Sequence, residues 1–425
     1  MTNQELLQLL RSEVIPAIGC TEPIAVALCT ARAKELLGAE PDSITVHLSK
    51  NVYKNALAVG IPNTGMTGLP IAIALGATVG KSEYMLEVLR DATPEAVAYA
   101  KAYMLRVPAT IKVDYEAPSL LYIHVEVSKE GQTAQATIMD EHTHFVEPGT
   151  RNQEASGISE IDTTANTLSL RRVYDFATSV DTTELTFLLA GAEMNTAAAE
   201  TSFADQYGHG LGRLLRANTL TATPEMEKLF GNTLFTKIIS YTCGACDARM
   251  SGAMVQVMSN SGSGNQGISC SIPVYLYAKE NNCTEEQTLR ALALSNLTVI
   301  YIKQSLGRLS ALCGCVVAAT GSAAGITYLM GGTYDEITYA IKNMIANISG
   351  MICDGAKPGC ALKVTSGVAT AIFSAYLAMQ HSYADSTEGI VEDDIDRTIR
   401  NLTRIGHDGM KVTDDLILDI MTHKQ

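Results

Sequence analysis

Residues 121–139 read Leu121-Tyr-Ile-His-Val-Glu-Val-Ser-Lys-Glu-Gly-Gln-Thr-Ala-Gln-Ala-Thr-Ile-Met139. Apolar and polar side chains alternate through Leu121–Val127 and again through Thr133–Met139. Lys129-Glu-Gly131 lies between the two runs as a turn. A period of two interrupted by a glycine-containing break marks an antiparallel hairpin. Outward from it, Ile44-Thr-Val-His-Leu48 and Ile111-Lys-Val-Asp-Tyr115 alternate in the same way. Helical segments are interleaved with these strands. Thr2-Asn-Gln-Glu5 forms a capping box, followed by Leu6, Leu7, Leu10 and Val14 at helical spacing until Pro16. A second helix starts at Thr21-Glu-Pro23 and stops at Gly38, with proline early and glycine just past the end. Further helices are expected around Leu69–Leu75 and Lys81–Arg90.

Beyond Pro148–Ser169, a polar Gly/Ser/Thr-rich stretch that reads as a linker, strand signals nearly vanish. Leu185–Ala199, Pro224–Tyr241, Pro273–Lys279, Glu285–Leu297, Asp335–Ile348 and Ala361–Met379 all carry helical patterns. The expected fold class is therefore α+β. An N-terminal mixed α/β domain with an antiparallel component, over 1–150, precedes a larger mainly α-helical domain over 170–425.

Composition narrows the function. With 425 residues, 47% of them hydrophobic and 18% charged, the chain can bury sizeable cores. A formal net charge of -14 argues against a nucleic-acid partner, which needs a basic surface. The N-terminal residues carry no basic stretch followed by an apolar run, so a cytoplasmic location is expected. Ten cysteines in a reducing compartment are metal-binding, catalytic or buried rather than a disulfide framework. Two long stretches without charge, between Arg308 and Asp335 and from Lys363 to His381, are long enough to span a bilayer. Their richness in Gly, Ala, Ser and Thr favours buried helices around a site, so no membrane partner is expected.

Cys313, Cys353 and Cys360 carry the strongest chemical signal. Cys353-Asp-Gly-Ala-Lys-Pro-Gly-Cys360 sets two thiols across a loop that can wrap around a cluster, and Cys313 lies in Leu312-Cys-Gly-Cys315 beside a glycine. Iron–sulfur clusters normally take four thiolates, so three would leave one iron open, as catalytic metal sites require. The alternative is a set of ordinary buried thiols. Cys20 precedes a helix start, where free N–H groups and the helix dipole lower a thiol pKa and make a general base; a small buried residue at a helix start fits the same position. Arg249, in Cys246-Asp-Ala-Arg-Met250, suits a substrate carboxylate or an ion pair with Asp247. Gly262-Ser-Gly-Asn-Gln-Gly267 formally fits a dinucleotide fingerprint but lacks the strand and βαβ unit that the fingerprint needs. Asn265 and Gln266 can instead offer amides to a small polar ligand. Lys54 and Asn55, in Lys50-Asn-Val-Tyr-Lys-Asn55, follow a strand as candidate substrate contacts or as a solvated loop. The Cys243-Gly-Ala-Cys246 pair has no finger-spaced partner, and His142 with His144 is more easily a surface or core pair than a metal site.

These ordered motifs, with Gly19-Cys-Thr-Glu-Pro23, resemble the L-cysteine desulfidase family, a group related to the α chain of iron–sulfur L-serine dehydratases. The resemblance runs from residue 19 to 360. It implies a 4Fe–4S cluster on Cys313, Cys353 and Cys360, with Cys315 close enough to compete for the first place, and Cys20 as proton acceptor. The implied reaction turns L-cysteine and water into sulfide, ammonia and pyruvate without pyridoxal phosphate. The competing expectations are an L-serine dehydratase on the same cluster, a pyridoxal-phosphate lyase using Lys54 or Lys357, and a non-enzymatic zinc- or cluster-binding protein. The expected partner is a small amino acid, and a homodimer is the default assembly.

Overall fold

The computed structural model describes residues 1–147, 168–221, 223–307 and 309–423. Among the described residues there are seven strands: Pro16–Ile18 (β1), Ser43–Ser49 (β2), Thr110–Asp114 (β3), Tyr122–Lys129 (β4), Gln132–Met139 (β5), Phe145–Val146 (β6) and Gln256–Met258 (β7). Five of them form a mixed sheet in the order β3-β2-β4-β5-β6, with β2 and β3 parallel and the other pairs antiparallel. The hairpin expected from residues 121–139 is there, with Lys129 opposite Gln132. Glu130 and Gly131 both have positive φ, 48° and 82°, which matches the right-handed twist of the flanking strands.

The alternation orients the sheet. Ile44, Val46 and Leu48 of β2 and Ile123, Val125 and Val127 of β4 are buried on one face, while His47, His124 and Glu126 lie on the more open one. The helix Thr21–Leu37 packs on the buried face, and the helix Leu69–Thr78 packs on that helix. Sandwiched between them, Thr21–Leu37 is buried through Thr21–Ala31 with almost no polar stripe.

Apart from the short strand β7, the described residues from 168 onward form helices and their connections, so the fold is α+β. At its centre Gly314–Leu329 is buried continuously from Cys315 to Thr327. It packs against Gly264–Glu280, Glu285–Leu306, Tyr334–Ile348 and Cys360–Met379. Small side chains along it permit this many neighbours at close range. By length and composition Cys360–Met379 could cross a membrane. Here it packs against Leu234–Met250, Gly314–Leu329 and Tyr334–Ile348, with Phe373 and Tyr376 exposed on its outer side.

Several local expectations shift. The stretch 148–169, read as a linker, lies outside the described residues except for Leu168 and Ser169. The first helix, Asn3–Glu13, does not add to the core of the sheet region: its Leu6 and Leu10, with Val14, join the core of the helical region. Lys50–Asn55 is not a loop but the helix Lys50–Ala56, capped by the Ser49 hydroxyl at 3.5 Å from Val52 N. Pro224–Tyr241 divides into Pro224–Leu229 and Leu234–Met250. Pro273 sits inside Gly264–Glu280 rather than near its start. Pro94–Arg106, capped by Thr93, is a helix that the sequence reading did not find.

Candidate functional site

Two short backbone pairings carry the site. β1 pairs with β7, Ala17 opposite Val257, and the contact continues as Ser259 N donates to Ile15 O at 2.8 Å and Ser261 N to Glu13 O at 3.1 Å. The Cys20 segment is thereby laid beside the loop that leads to Gly264. In the helical region, Cys313 N donates to Met351 O at 2.9 Å and Cys353 N to Ala311 O at 2.6 Å, around a single bridge between Leu312 and Ile352. This two-rung ladder brings Cys313 and Cys353 side by side although they are forty positions apart in sequence.

The Cys353–Cys360 loop is clamped from within. Asp354 forms ion pairs with both Lys357 and Lys363, and Lys363 Nζ also donates to Ile352 O at 2.8 Å. Although burial acts to raise its pKa, the two ammonium groups hold the Asp354 carboxyl down at about 2. Gly355 turns the loop with φ +85°, and a Cβ there would stand 2.6 Å from Lys54 O, so only glycine fits.

These elements surround one cavity of about 100 Å³, lined among others by Cys20, Glu22, Asn55, Arg249, Asn265, Gln266, Cys313, Cys315, Cys353 and Cys360. Four helices begin at its wall: Thr21–Leu37 behind Cys20, Gly264–Glu280 with Asn265 and Gln266 in its first turn, Gly314–Leu329 behind Cys313, and Cys360–Met379. Their free N–H groups and dipoles give the cavity a positive potential suited to thiolates and to a carboxylate.

Arg249 is the least expected feature. Its side chain is 1% exposed, yet no carboxylate stands within ion-pair distance among the described residues. Asp247, the expected competitor, instead accepts from His209 N at 3.2 Å. Arg249 Nη1 donates to Asn265 Oδ1 at 3.0 Å, and its Nε has no partner. The guanidinium lies over Gly264, where a Cβ would meet Nε at 2.3 Å. Two buried acceptors on the cavity wall, Asn55 Oδ1 and Gln266 Oε1, are also without partners. Buried polar atoms are seldom left so, and three around one cavity mark a place for a polar ligand.

Other expected residues fall elsewhere. Lys54 is not in the cavity wall: its ammonium is buried in an ion pair with Asp414 and reaches Cys353 O at 3.4 Å. It braces the back of the site, because the helix Lys50–Ala56 turns it toward the C-terminal helix Lys411–Thr422. Cys20 is buried, and the expected low-pKa thiolate is opposed by its surroundings. Burial pushes its thiol well up and the Glu22 carboxylate adds to this, against a smaller opposing effect of Arg249. Cys243 and Cys246 are fully buried on Leu234–Met250, outside the cavity. His144 contacts Met139 O at 3.2 Å, whereas His142 turns inward to within 3.8 Å of Glu22. Glu22 was missed because a buried acid in a helix's first turn looks like an ordinary capping charge in sequence.

The family model for the serine dehydratase alpha chain matches residues 83–419. A UPF0597 protein of Phocaeicola vulgatus is 56% identical, across 99% of this chain and 98% of its own length. UPF0597 proteins of Parabacteroides distasonis and Oleidesulfovibrio alaskensis are 51% and 42% identical, each across 99% of this chain and 98% of its own length. The chain belongs to the serine dehydratase alpha chain family.

Several sulfur atoms of the site lie close to one another. Cys313 Sγ and Cys315 Sγ are 3.3 Å apart, and Cys315 Sγ lies 3.1 Å from Met351 Sδ. The hydrogen bond between the two thiols, despite burial, favours charge on one of them and raises the other, so the pair does not ionise together. Cys360 is pushed up to about 11 by burial, with the nearby Cys313 and Cys353 contributing. Thiols that crowd one another in this way are relieved by a cationic centre between them. Among the described residues no three His, Cys, Asp or Glu side chains converge at the spacing of a single ion.

Proposed function

We propose that this protein is an iron–sulfur lyase that removes sulfide from L-cysteine by β-elimination, giving pyruvate, ammonia and sulfide. One observation carries the reading: three cysteines able to hold a cluster, Cys313, Cys353 and Cys360, share a cavity with Cys20 and with a buried Arg249 that lacks an anionic partner. Those cysteines would hold a 4Fe–4S cluster, which would supply Lewis acidity for the departure of sulfur. Arg249 binds the substrate carboxylate, turned toward the cavity by Asn265. Asn55 Oδ1 and Gln266 Oε1 accept hydrogen bonds from the substrate ammonium, which answers both orphaned acceptors. Cys20 takes the Cα proton from the side of the sheet region. The four helix starts favour an anionic carboxylate in the cavity. Aminoacrylate leaves and hydrolyses in solution. The reading places the protein in a reducing cytoplasm, with a homodimer as its default assembly.

Membership of the serine dehydratase alpha chain family makes L-serine the competing substrate, with hydroxide leaving. Anaerobic purification with iron and acid-labile sulfide counted, followed by parallel assays on L-cysteine and L-serine, tests both. A cluster with sulfide release favoured supports the proposal. Pyruvate mainly from serine transfers the same residues to the dehydratase, and failure to assemble any cluster overturns both.

A further inference from the structure

Cys20 cannot act alone, and the residues behind it suggest why. Its Sγ–H donates to Glu22 Oε2 at 3.2 Å, and the Thr21 hydroxyl donates to the same oxygen at 3.0 Å. On the other oxygen, Asn55 Nδ2 donates to Oε1 at 3.2 Å. His142 Nε2 lies 3.8 Å from Oε1, too far for a hydrogen bond, and has no other partner. Glu22 and His142 are buried, 7% and 5% exposed. The segment carrying His142 is at the surface, since Glu141 and His144 beside it are exposed. Cys20 and Glu22 both line the cavity, and the carboxylate stands between the thiol and the imidazole, whose segment reaches the surface.

We propose that Cys20, Glu22 and His142 form a proton relay in which His142 is the final acceptor of the substrate's Cα proton. The inference rests on the lyase reading and adds two residues to it. In the step, the Cα–H bond breaks and its proton goes to Cys20 Sγ, while the Cys20 proton passes to Glu22 Oε2. The Cα electron pair becomes the second bond of Cα=Cβ, and the Cβ–S bond breaks with its pair on sulfur, which departs as hydrosulfide. The Glu22 carboxyl then turns to hand its proton to Nε2 of His142, so Cys20 ends as a thiol and Glu22 as a carboxylate. The imidazolium releases the proton to solvent. A thiol held in its protonated form by burial and by a neighbouring carboxylate can serve as a base only if its own proton has somewhere to go, and Glu22 is that place. Glu22 is ionised before and after the step: burial acts to raise its pKa, but the hydrogen bonds it accepts, that from Cys20 among them, help to hold it below the usual carboxylate range. Cys20 touches the substrate, whereas Glu22 and His142 act through it.

Glu22→Gln and His142→Ala test the relay in the full chain, each with iron and acid-labile sulfide counted. The expected result for Glu22→Gln is a fall in kcat of roughly 100-fold or more, with KM within about threefold and cluster content unchanged. With Cα-deuterated cysteine the isotope effect on kcat should rise. His142→Ala should lose at least about tenfold and regain activity with millimolar imidazole, a rescue that a packing role would not give. Independently of turnover, iodoacetamide should alkylate Cys20 in cluster-free Glu22→Gln at least about threefold faster than in the wild type at one pH, because the carboxylate that suppresses the thiolate is gone. Near-wild-type kcat in Glu22→Gln, or unchanged alkylation, overturns the relay. A wild type that releases no sulfide overturns the lyase reading instead, and the alkylation rates still decide whether Glu22 controls Cys20.

Discussion

Replacing Lys54 by methionine removes one half of a buried ion pair without shortening the side chain much. The Lys54 side chain is 2% exposed and that of Asp414 11%. Breaking such a pair from one side costs about 3–5 kcal/mol, because the remaining charge stays buried. The loss falls on the helix Lys411–Thr422. That helix buries Ile417 and Leu418, which supply about 2 kcal/mol each. Val412, Leu416 and Ile420 are 79%, 57% and 54% exposed and add little. The remaining attachments are polar: Lys50 pairs with Asp415, and Asn51 Nδ2 donates to Asp414 Oδ2 at 2.5 Å. Detached, a helix of 12 residues is marginal in water. The cost therefore matches what holds the helix down, and Lys54→Met should release it locally rather than unfold the molecule. Hydrogen exchange of peptides covering 411–422 should rise to near that of a free peptide. Because Lys54 also reaches Cys353 O and Gly355 packs between Lys54 O and Met421, iron content should fall as well. Adding Asp414→Leu should restore most of the protection by removing the stranded charge. If exchange across 411–422 stays within about twofold of the wild type in Lys54→Met, the ion pair is not what fixes this helix.

Cys360→Ser should abolish cluster assembly, read as iron and acid-labile sulfide per chain, while the same change at Cys246 should leave both near wild type. Cys20→Ala should keep the cluster and lose most sulfide release. Arg249→Met should lower kcat/KM about 10–100-fold, the worth of a charge-assisted pair to a carboxylate, and a variant that binds substrate normally would remove Arg249 from the clamp. Burial raises Asp247 to about 6 against smaller opposing effects of His209. A raised carboxyl favours the protonated native state, so its contribution is full at low pH and is lost as pH climbs from about 4 through 6. Asp247→Asn should then gain up to about 2 kcal/mol relative to the wild type at pH 7.5 and nothing at pH 4, checked by urea denaturation at the two pH values.

The sheet was legible because its signal is local. Period-two alternation and a Glu-Gly turn survive without any knowledge of what lies opposite. The cavity was legible residue by residue, since Cys20, Asn55, Arg249, Asn265, Gln266, Cys313, Cys353 and Cys360 all reach it. What the sequence concealed were relations made by distant partners. Lys54 looked like a substrate contact until Asp414, 360 positions on, was seen to claim it. The helix Lys50–Ala56 was hidden because its polar residues face buried partners rather than water, which removes the amphipathic pattern. Glu22 and His142 gave no joint signal, as nothing in one segment announces the other.

The arrangement also explains why the N-terminal segment must reach into the helical region. The three candidate ligands all belong to the helical region, fixed by the Cys313–Cys353 ladder and the Asp354 clamp. Cys20, Glu22 and Asn55 belong to the sheet region, at or on helices that pack against the sheet or follow it. Neither set forms a reaction centre by itself. β1 pairing with β7 is the short contact that closes the two onto one cavity, and the first helix reinforces it by burying Leu6 and Leu10 in the helical core. A shift of even one residue in the Ala17–Val257 register would carry Cys20 about 3 Å along the strand and out of reach of a substrate held by Arg249. The small two-stranded pairing therefore matters less for stability than for bringing Cys20 and the three candidate ligands to one cavity.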